Sequence, residues 1–299
     1  MHQKNRKSGE AILYFMAKYW PSPVKDRVKK FNAEFGTDEY GIAYSRHQYS
    51  IKVKNGILAD VQDLDVLEVG CGHGGITTFM SIVGARFVCG IDLNIKHLHY
   101  ARRFSSMKAE EIIKGQDLKL SFVGADVCNL PFQENSFDLV FADNVFEHFS
   151  DPESTIKDIH RILKPGGRLL VPTYSSIYSK YGTHLKHGLK IPWANLFFSD
   201  RTIINVMKRL AAEKPELLEI YPGLLGNPQQ LKDLRKHKDL NGTTYSDIIS
   251  LSKKNGFNIE WFMPHFTPFG KIISKIPFIQ NTILTDIFTF YAAMSFQKR

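Results

Sequence analysis

Asp65-Val66-Leu67-Glu68-Val69-Gly70-Cys71-Gly72-His73-Gly74-Gly75-Ile76 is a short apolar run that ends in clustered glycines and then turns helical. A buried strand feeding a helix through glycines is the opening unit of an α/β sheet with parallel strands. Glycines let the backbone approach a ligand closely. The free N–H groups at the start of the next helix suit an anionic group such as a phosphate or a carboxylate. The same residues satisfy GxGxxG, so at this point a dinucleotide site competes with other nucleoside-bearing ligands.

Working outward, short β-rich runs alternate with helical ones. Strands are expected at 65–69, 86–91, 119–123, 137–142 and 168–172, and two more at 257–263 and 291–297. A helix over 151–163 carries Ile156, Ile159 and Leu163 on one face and stops at Lys164-Pro165-Gly166-Gly167, where proline cannot continue it. Thr244 is a cap for a helix that ends at Asn255-Gly256. The pattern predicts an α/β fold: a Rossmann-like, doubly wound sheet, mostly parallel, with an antiparallel C-terminal strand. Residues 1–63 read as an N-terminal helical cap and 64–173 as the ligand-binding core. The stretch 174–243 is too long for a bare loop and reads as an inserted, partly helical substrate cap, followed by sheet and lid over 244–299.

Leu67-Glu68-Val69-Gly70-Cys71-Gly72-His73-Gly74 resembles the first motif of the class I S-adenosylmethionine (SAM)-dependent methyltransferases, within their small-molecule group. Gly90-Ile91-Asp92-Leu93, Gly124-Ala125-Asp126-Val127, Phe137-Asp138-Leu139-Val140 through Val145-Phe146-Glu147-His148, and Lys164-Pro165-Gly166-Gly167-Arg168-Leu169 continue the resemblance in order, over about 65–173. The resemblance implies S-adenosyl-L-methionine as cofactor. It implies a binding set of Glu68, Gly70, Cys71, Gly72, Gly74, Asp92, Leu93, Asp126, Val127 and Asp143, with Asp92 on the adenosine ribose and Asp126 near the adenine amino group. Asp138, inside the fourth strand, reads as a structural residue.

Methyl transfer from a sulfonium needs positioning and exclusion of water, with no metal or covalent nucleophile. A hydroxyl acceptor also needs a base, and histidine titrates closest to neutral pH. His184 is the first candidate and His148 the second, both beyond strand C-terminal ends, where open α/β sheets bind ligands. His184 and His187 make a poor metal pair because no third ligand accompanies them in the sequence. Tyr174, Tyr178, Trp193, Phe197 and Phe198 are candidates for an apolar acceptor wall. O-methylation of a small molecule is the favoured function. The rivals are a SAM-binding protein without catalysis and an NAD-dependent oxidoreductase.

With 43% hydrophobic and 23% charged residues among 299, the composition is that of a globular protein with a full core. Cys71, Cys89 and Cys128 are an odd number without a CxxC pair, which argues against a disulfide framework and for a cytoplasmic location. The net charge of +9 is scattered. Groups such as Lys25, Arg27, Lys29, Lys30 and Lys232, Arg235, Lys236, Lys238 read as solvated helix faces, so nucleic acid is not the expected partner. No signal peptide is expected, and no run reaches the roughly 20 apolar residues of a membrane span. The apolar stretch 266–288, with Lys271 and Lys275 interleaved, leaves room for packing over the pocket or for peripheral membrane contact.

Overall fold

Strand β1 (Asp65–Val69) sits inside a seven-stranded sheet of order β3-β2-β1-β4-β5-β7-β6. In this computed structural model the described residues are 2–21, 60–113, 118–225, 240–276 and 282–299, with 39–40, 42–43, 46–47, 50, 54 and 234. After α1 (His2–Tyr19) and β1 come α2 (Gly75–Ile82), β2 (Phe87–Asp92), α3 (Ile95–Ile113), β3 (Leu120–Gly124) and β4 (Phe137–Asp143). Then follow α4 (Pro152–Ile162), β5 (Leu163–Tyr174), α5 (Asp200–Glu213), α6 (Tyr245–Lys254), β6 (Phe257–Phe266), α7 (Pro268–Ile273), α8 (Ile283–Ile287) and β7 (Thr289–Lys298), with short helical turns between β5 and α6. β1 pairs in parallel with β2 on one side and β4 on the other, and β7 runs antiparallel to both β5 and β6. The expected mostly parallel sheet with an antiparallel C-terminal strand is the one observed. The strand order reverses between β1 and β4, so the loops leaving these two strands diverge and open a crevice at the C-terminal edge.

The sheet core is built from Leu67, Val140, Leu169 and their neighbours, against which α4 lays Ile156 and Ile159. Asp151 caps α4 by accepting the Ser154 N–H, and the helix stops at Ile162. Leu163, expected as the last helical residue, instead begins β5 by pairing with Phe137. The next pair is Leu139 with Arg168, so Lys164-Pro165-Gly166-Gly167 bulges out of the strand, with Gly166 at φ 75°. At the opposite edge of the sheet from the crevice, Asp138 Oδ2 accepts the Asp65 N–H at 2.8 Å, Lys164 Nζ at 2.8 Å and Arg86 at 3.1 Å. Asp138 is therefore a structural tie between β1, β4 and the β5 bulge.

A second core lies away from the sheet. Leu13, Tyr14 and Ala17 of α1 pack on Ile203, Met207 and Leu210 of α5, and Asn205 donates to Glu10 at 2.7 Å. The N-terminal helix and the insertion thus bury their apolar faces together. Tyr174 belongs to the sheet core rather than to a pocket wall, its hydroxyl donating to the Thr243 carbonyl at 2.8 Å. The two basic groups named above lie outside the described residues. Among the described residues no helix is long and apolar enough to cross a membrane.

Candidate functional site

The loop after β1 is fixed by two features. A Cβ on Gly70, at φ 68°, would stand 2.5 Å from Val145 Cγ2, so only glycine lets β1 and the loop after β4 approach this closely. Gly72, at φ 51°, faces open space, with no atom within 4 Å of the place a Cβ would take. Below the loop, Glu68 is buried and accepts the Thr77 hydroxyl from the first turn of α2. Cys71 is buried too and donates its N–H to Ile91 at 2.9 Å; burial pushes its thiol up. Glu68 and Cys71 hold the loop from beneath. They do not line the opening.

Asp92 closes β2 and ties the loop to it. Its Oδ2 accepts the Gly72 N–H at 2.9 Å and its Oδ1 the Asn94 N–H at 2.8 Å, with His97 Nδ1 3.6 Å away. Burial raises the carboxyl pKa, but the His97 imidazole and the two N–H groups outweigh it, and the net shift is downward. An ionised carboxylate has about four lone-pair directions, so two N–H bonds leave capacity for hydroxyls.

Gly70, Asp92, Leu93, Asp126, Val127 and His148 line one cleft of about 350 Å³ at the C-terminal edge of the sheet. Asp126 is turned by the Cys128 N–H, which donates to its Oδ1 at 2.9 Å. Two carboxylates, apolar Leu93 and Val127, and glycine backbone surround the same space, a donor set that fits a nucleoside carrying a charged tail. Asp143 ends β4 opposite Thr173 and is not part of this lining.

His148 connects the cleft to a second group. A 3-10 turn, Phe146–His148, follows β4 and is clamped by Asn241, whose N–H donates to the Glu147 carbonyl at 2.8 Å and whose Nδ2 donates to the Phe146 carbonyl at 2.9 Å. His184 arrives from the insertion in a left-handed backbone conformation, φ 55°. Its N–H donates to the Tyr181 carbonyl at 2.8 Å, and its own carbonyl accepts Tyr221 Oη at 2.7 Å. The two imidazoles, 36 residues apart in sequence, end with ring centroids 5.2 Å apart. Between them lies Glu147, which sequence reasoning passed over: His184 Nε2 is 3.4 Å from its Oε1. Burial pushes the Glu147 carboxyl up to about 8, opposed by the nearby Lys186 charge. The signal for it in the sequence was an acid inside an otherwise apolar run, Val145-Phe146-Glu147-His148-Phe149. The side chain of His187 lies outside the described residues. Phe197 points to solvent, and Trp193 is spent on the Ile287 carbonyl at 2.7 Å.

Comparison with known proteins points to the kind of domain. Residues 67–171 match the family described as Methyltransferase domain. Sterol 24-C-methyltransferase of Pneumocystis carinii is 33% identical over 134 residues, 44% of this chain and 33% of that protein. The mitochondrial ubiquinone biosynthesis O-methyltransferase of Dictyostelium discoideum is 31% identical over 158 residues, 52% of this chain and 47% of that protein. The chain thus matches between a third and a half of the length of these relatives. A Listeria monocytogenes structure assigned as an S-adenosylmethionine-dependent methyltransferase shares the fold, at a TM-score of 0.52 and 16% identity, covering 86% of this chain and 98% of that one.

Proposed function

We propose, from the match of residues 67–171 to the methyltransferase-domain family, that the chain is a class I SAM-dependent enzyme that methylates a small-molecule acceptor, on oxygen. The observation that carries this reading is the continuity of two groups of residues: the cleft holding Gly70, Asp92 and Asp126 also holds His148, which stands against His184. When bound, SAM supplies a methyl group already activated by its sulfonium.

The chain's own residues divide the remaining work. The glycine loop, whose Gly70 lines the cleft, would meet the carboxylate end of the ligand, Asp92 would take ribose hydroxyls on its spare lone pairs, and Asp126 the adenine edge. Leu93 and Val127 give the base an apolar slot. Glu68 and Cys71 keep the loop in shape from below, and Asp143 acts at the end of β4 as a support rather than a contact. On the acceptor side, His184 and His148 receive the hydroxyl proton, which an ether-forming reaction must release. The O-methyltransferase name of the Dictyostelium relative supports oxygen, while the sterol relative keeps a carbon acceptor as the rival.

Free thiols at all three cysteines support a reducing location such as the cytoplasm. The division into an N-terminal cap (1–63), a binding core (64–173), a substrate cap (174–243) and a C-terminal sheet with lid (244–299) is part of the same reading. The deciding experiment is calorimetric titration with SAM, S-adenosylhomocysteine and NADH. Binding of the first two alone supports the proposal and opens an acceptor screen, in which His184→Ala should lower turnover with S-adenosylhomocysteine affinity unchanged. Binding of NADH alone would overturn it in favour of a dinucleotide enzyme. Tight SAM binding with no turnover on any phenol, catechol, amine or sterol offered would leave a SAM-binding protein.

A further inference from the structure

We propose that Glu147, His148 and His184 form a divalent-cation site whose open position takes the acceptor oxygen. The site itself stands on geometry alone; its role toward the acceptor rests on the methyl-transfer reading above.

One ligand atom from each of the three residues can be chosen so that all lie within 4.8 Å of one another. The His184 Nε2 to Glu147 Oε1 distance of 3.4 Å already equals the edge of a coordination tetrahedron with metal–ligand bonds of about 2.1 Å. The other two separations both involve His148, whose side chain is exposed.

Glu147 carries the argument. It is 2% exposed, and neither carboxylate oxygen makes a hydrogen bond among the described residues. Burying a carboxylate without hydrogen bonds costs several kcal/mol, whether it is met by protonation or by a counter-charge. A cation held with two imidazoles satisfies both oxygens and gives the left-handed backbone at His184 a purpose, since sparsely populated conformations cluster where a function fixes them. The backbones on both sides are restrained in advance, the Phe146–His148 turn by Asn241 and His184 by Tyr221.

Two imidazoles and one carboxylate are a donor set suited to zinc and similar borderline cations. Three protein ligands leave a fourth position open for water or substrate. Because His148 also lines the cofactor cleft, that position faces the space an acceptor must enter. With the cation bound, His148 and His184 act as its ligands in place of the base role given them above; the acceptor's hydroxyl proton then passes to solvent, and the cation stabilises the oxyanion left, the effect that lowers the pKa of metal-bound water. The partners of His184 in this arrangement are Glu147 and His148 rather than the His187 considered from sequence.

The test is direct. The full chain, stripped with a chelator, is titrated with Zn²⁺ and its bound metal counted by mass spectrometry, with S-adenosylhomocysteine binding measured in parallel. One Zn²⁺ per chain is expected, with affinity falling by about 100-fold or more in Glu147→Gln and in His184→Ala while both variants still bind S-adenosylhomocysteine. Substoichiometric Zn²⁺, or undiminished affinity in both variants, overturns the site and marks adventitious binding to surface histidines. Should either variant fail to fold, Co²⁺ added to the wild-type chain decides: visible d–d bands of a nitrogen–oxygen site support the proposal, and the spectrum of aqueous Co²⁺ overturns it. A wild-type chain that binds Zn²⁺ but not S-adenosylhomocysteine would defeat the methyl-transfer reading and leave the cation site standing.

Discussion

Asp92 shows how much one carboxylate settles at the residue scale. It anchors the glycine loop through the Gly72 N–H and still faces the cleft. Asp92→Ala should therefore weaken S-adenosylhomocysteine binding by about 1.5–3 kcal/mol, the worth of charged hydrogen bonds, as read by calorimetry. Unchanged affinity would remove it from the ligand site. Gly70→Ala tests the loop differently, because a methyl group there meets Val145 at 2.5 Å in a left-handed backbone. A loss of about 1–3 kcal/mol in denaturant unfolding is expected; no loss would mean that the β1 and β4 loops do not need this approach. Both positions stood out in the sequence because their signals are local, a glycine turn after one strand for Gly70 and an acid closing the next strand for Asp92. Glu147 did not, since its relation to His184 depends on how the insertion folds back, and no spacing rule links an acid in a turn to a histidine 37 positions on.

At the scale of elements, the charged tie under the sheet links β1, β4 and the bulge at the start of β5. Arg86 hydrogen bonds, against some burial and with help from Lys164, hold the Asp65 carboxyl at about 2. A carboxyl depressed in the folded state adds stability that is fully present above its ordinary value of about 3.8 and is lost as pH falls through about 2. Asp65→Asn should thus flatten the acid limb of the stability curve between these values and cost about 1 kcal/mol at neutral pH, given the exposure of Arg86. An acid limb identical to wild type would assign acid unfolding to other carboxyls. Asn241 is the corresponding tie at the opposite edge. Asn241→Ala removes the Nδ2 bond to the Phe146 carbonyl and should lower turnover more than S-adenosylhomocysteine affinity. Equal loss of both would place Asn241 in general folding instead. Strand positions and the capped helices could be anticipated, because period, glycine and proline are local signals. The β5 start could not: Leu163 looks like the last apolar position of a helix, and its pairing with Phe137 is a long-range contact.

At the scale of the whole molecule, two apolar surfaces behave differently. α1 is amphipathic in sequence, and the structure supplies the partner that the sequence could not name, α5 of the insertion. The C-terminal stretch, expected either to pack over the pocket or to meet a membrane, instead leaves Phe269 61%, Ile272 66% and Ile276 50% exposed, beside Lys271 and Lys275. This ridge is held firmly from below. The Thr267 N–H donates to the Phe288 carbonyl at 2.8 Å, and a Cβ on Gly270 would stand 2.2 Å from that same oxygen, so α7 sits directly on the start of β7. Exposed apolar side chains with lysines beside them would suit the peripheral membrane contact expected from the sequence. In a chain of net charge +9 the electrostatic approach adds to the apolar insertion. The chain should cosediment with vesicles containing phosphatidylserine and less with neutral ones. The double variant Phe269→Ser, Ile272→Ser should weaken that binding by about tenfold, half or less of the full transfer energy of two such side chains. Equal cosedimentation of the variant would move the contact elsewhere, whereas its loss would place the contact at this ridge.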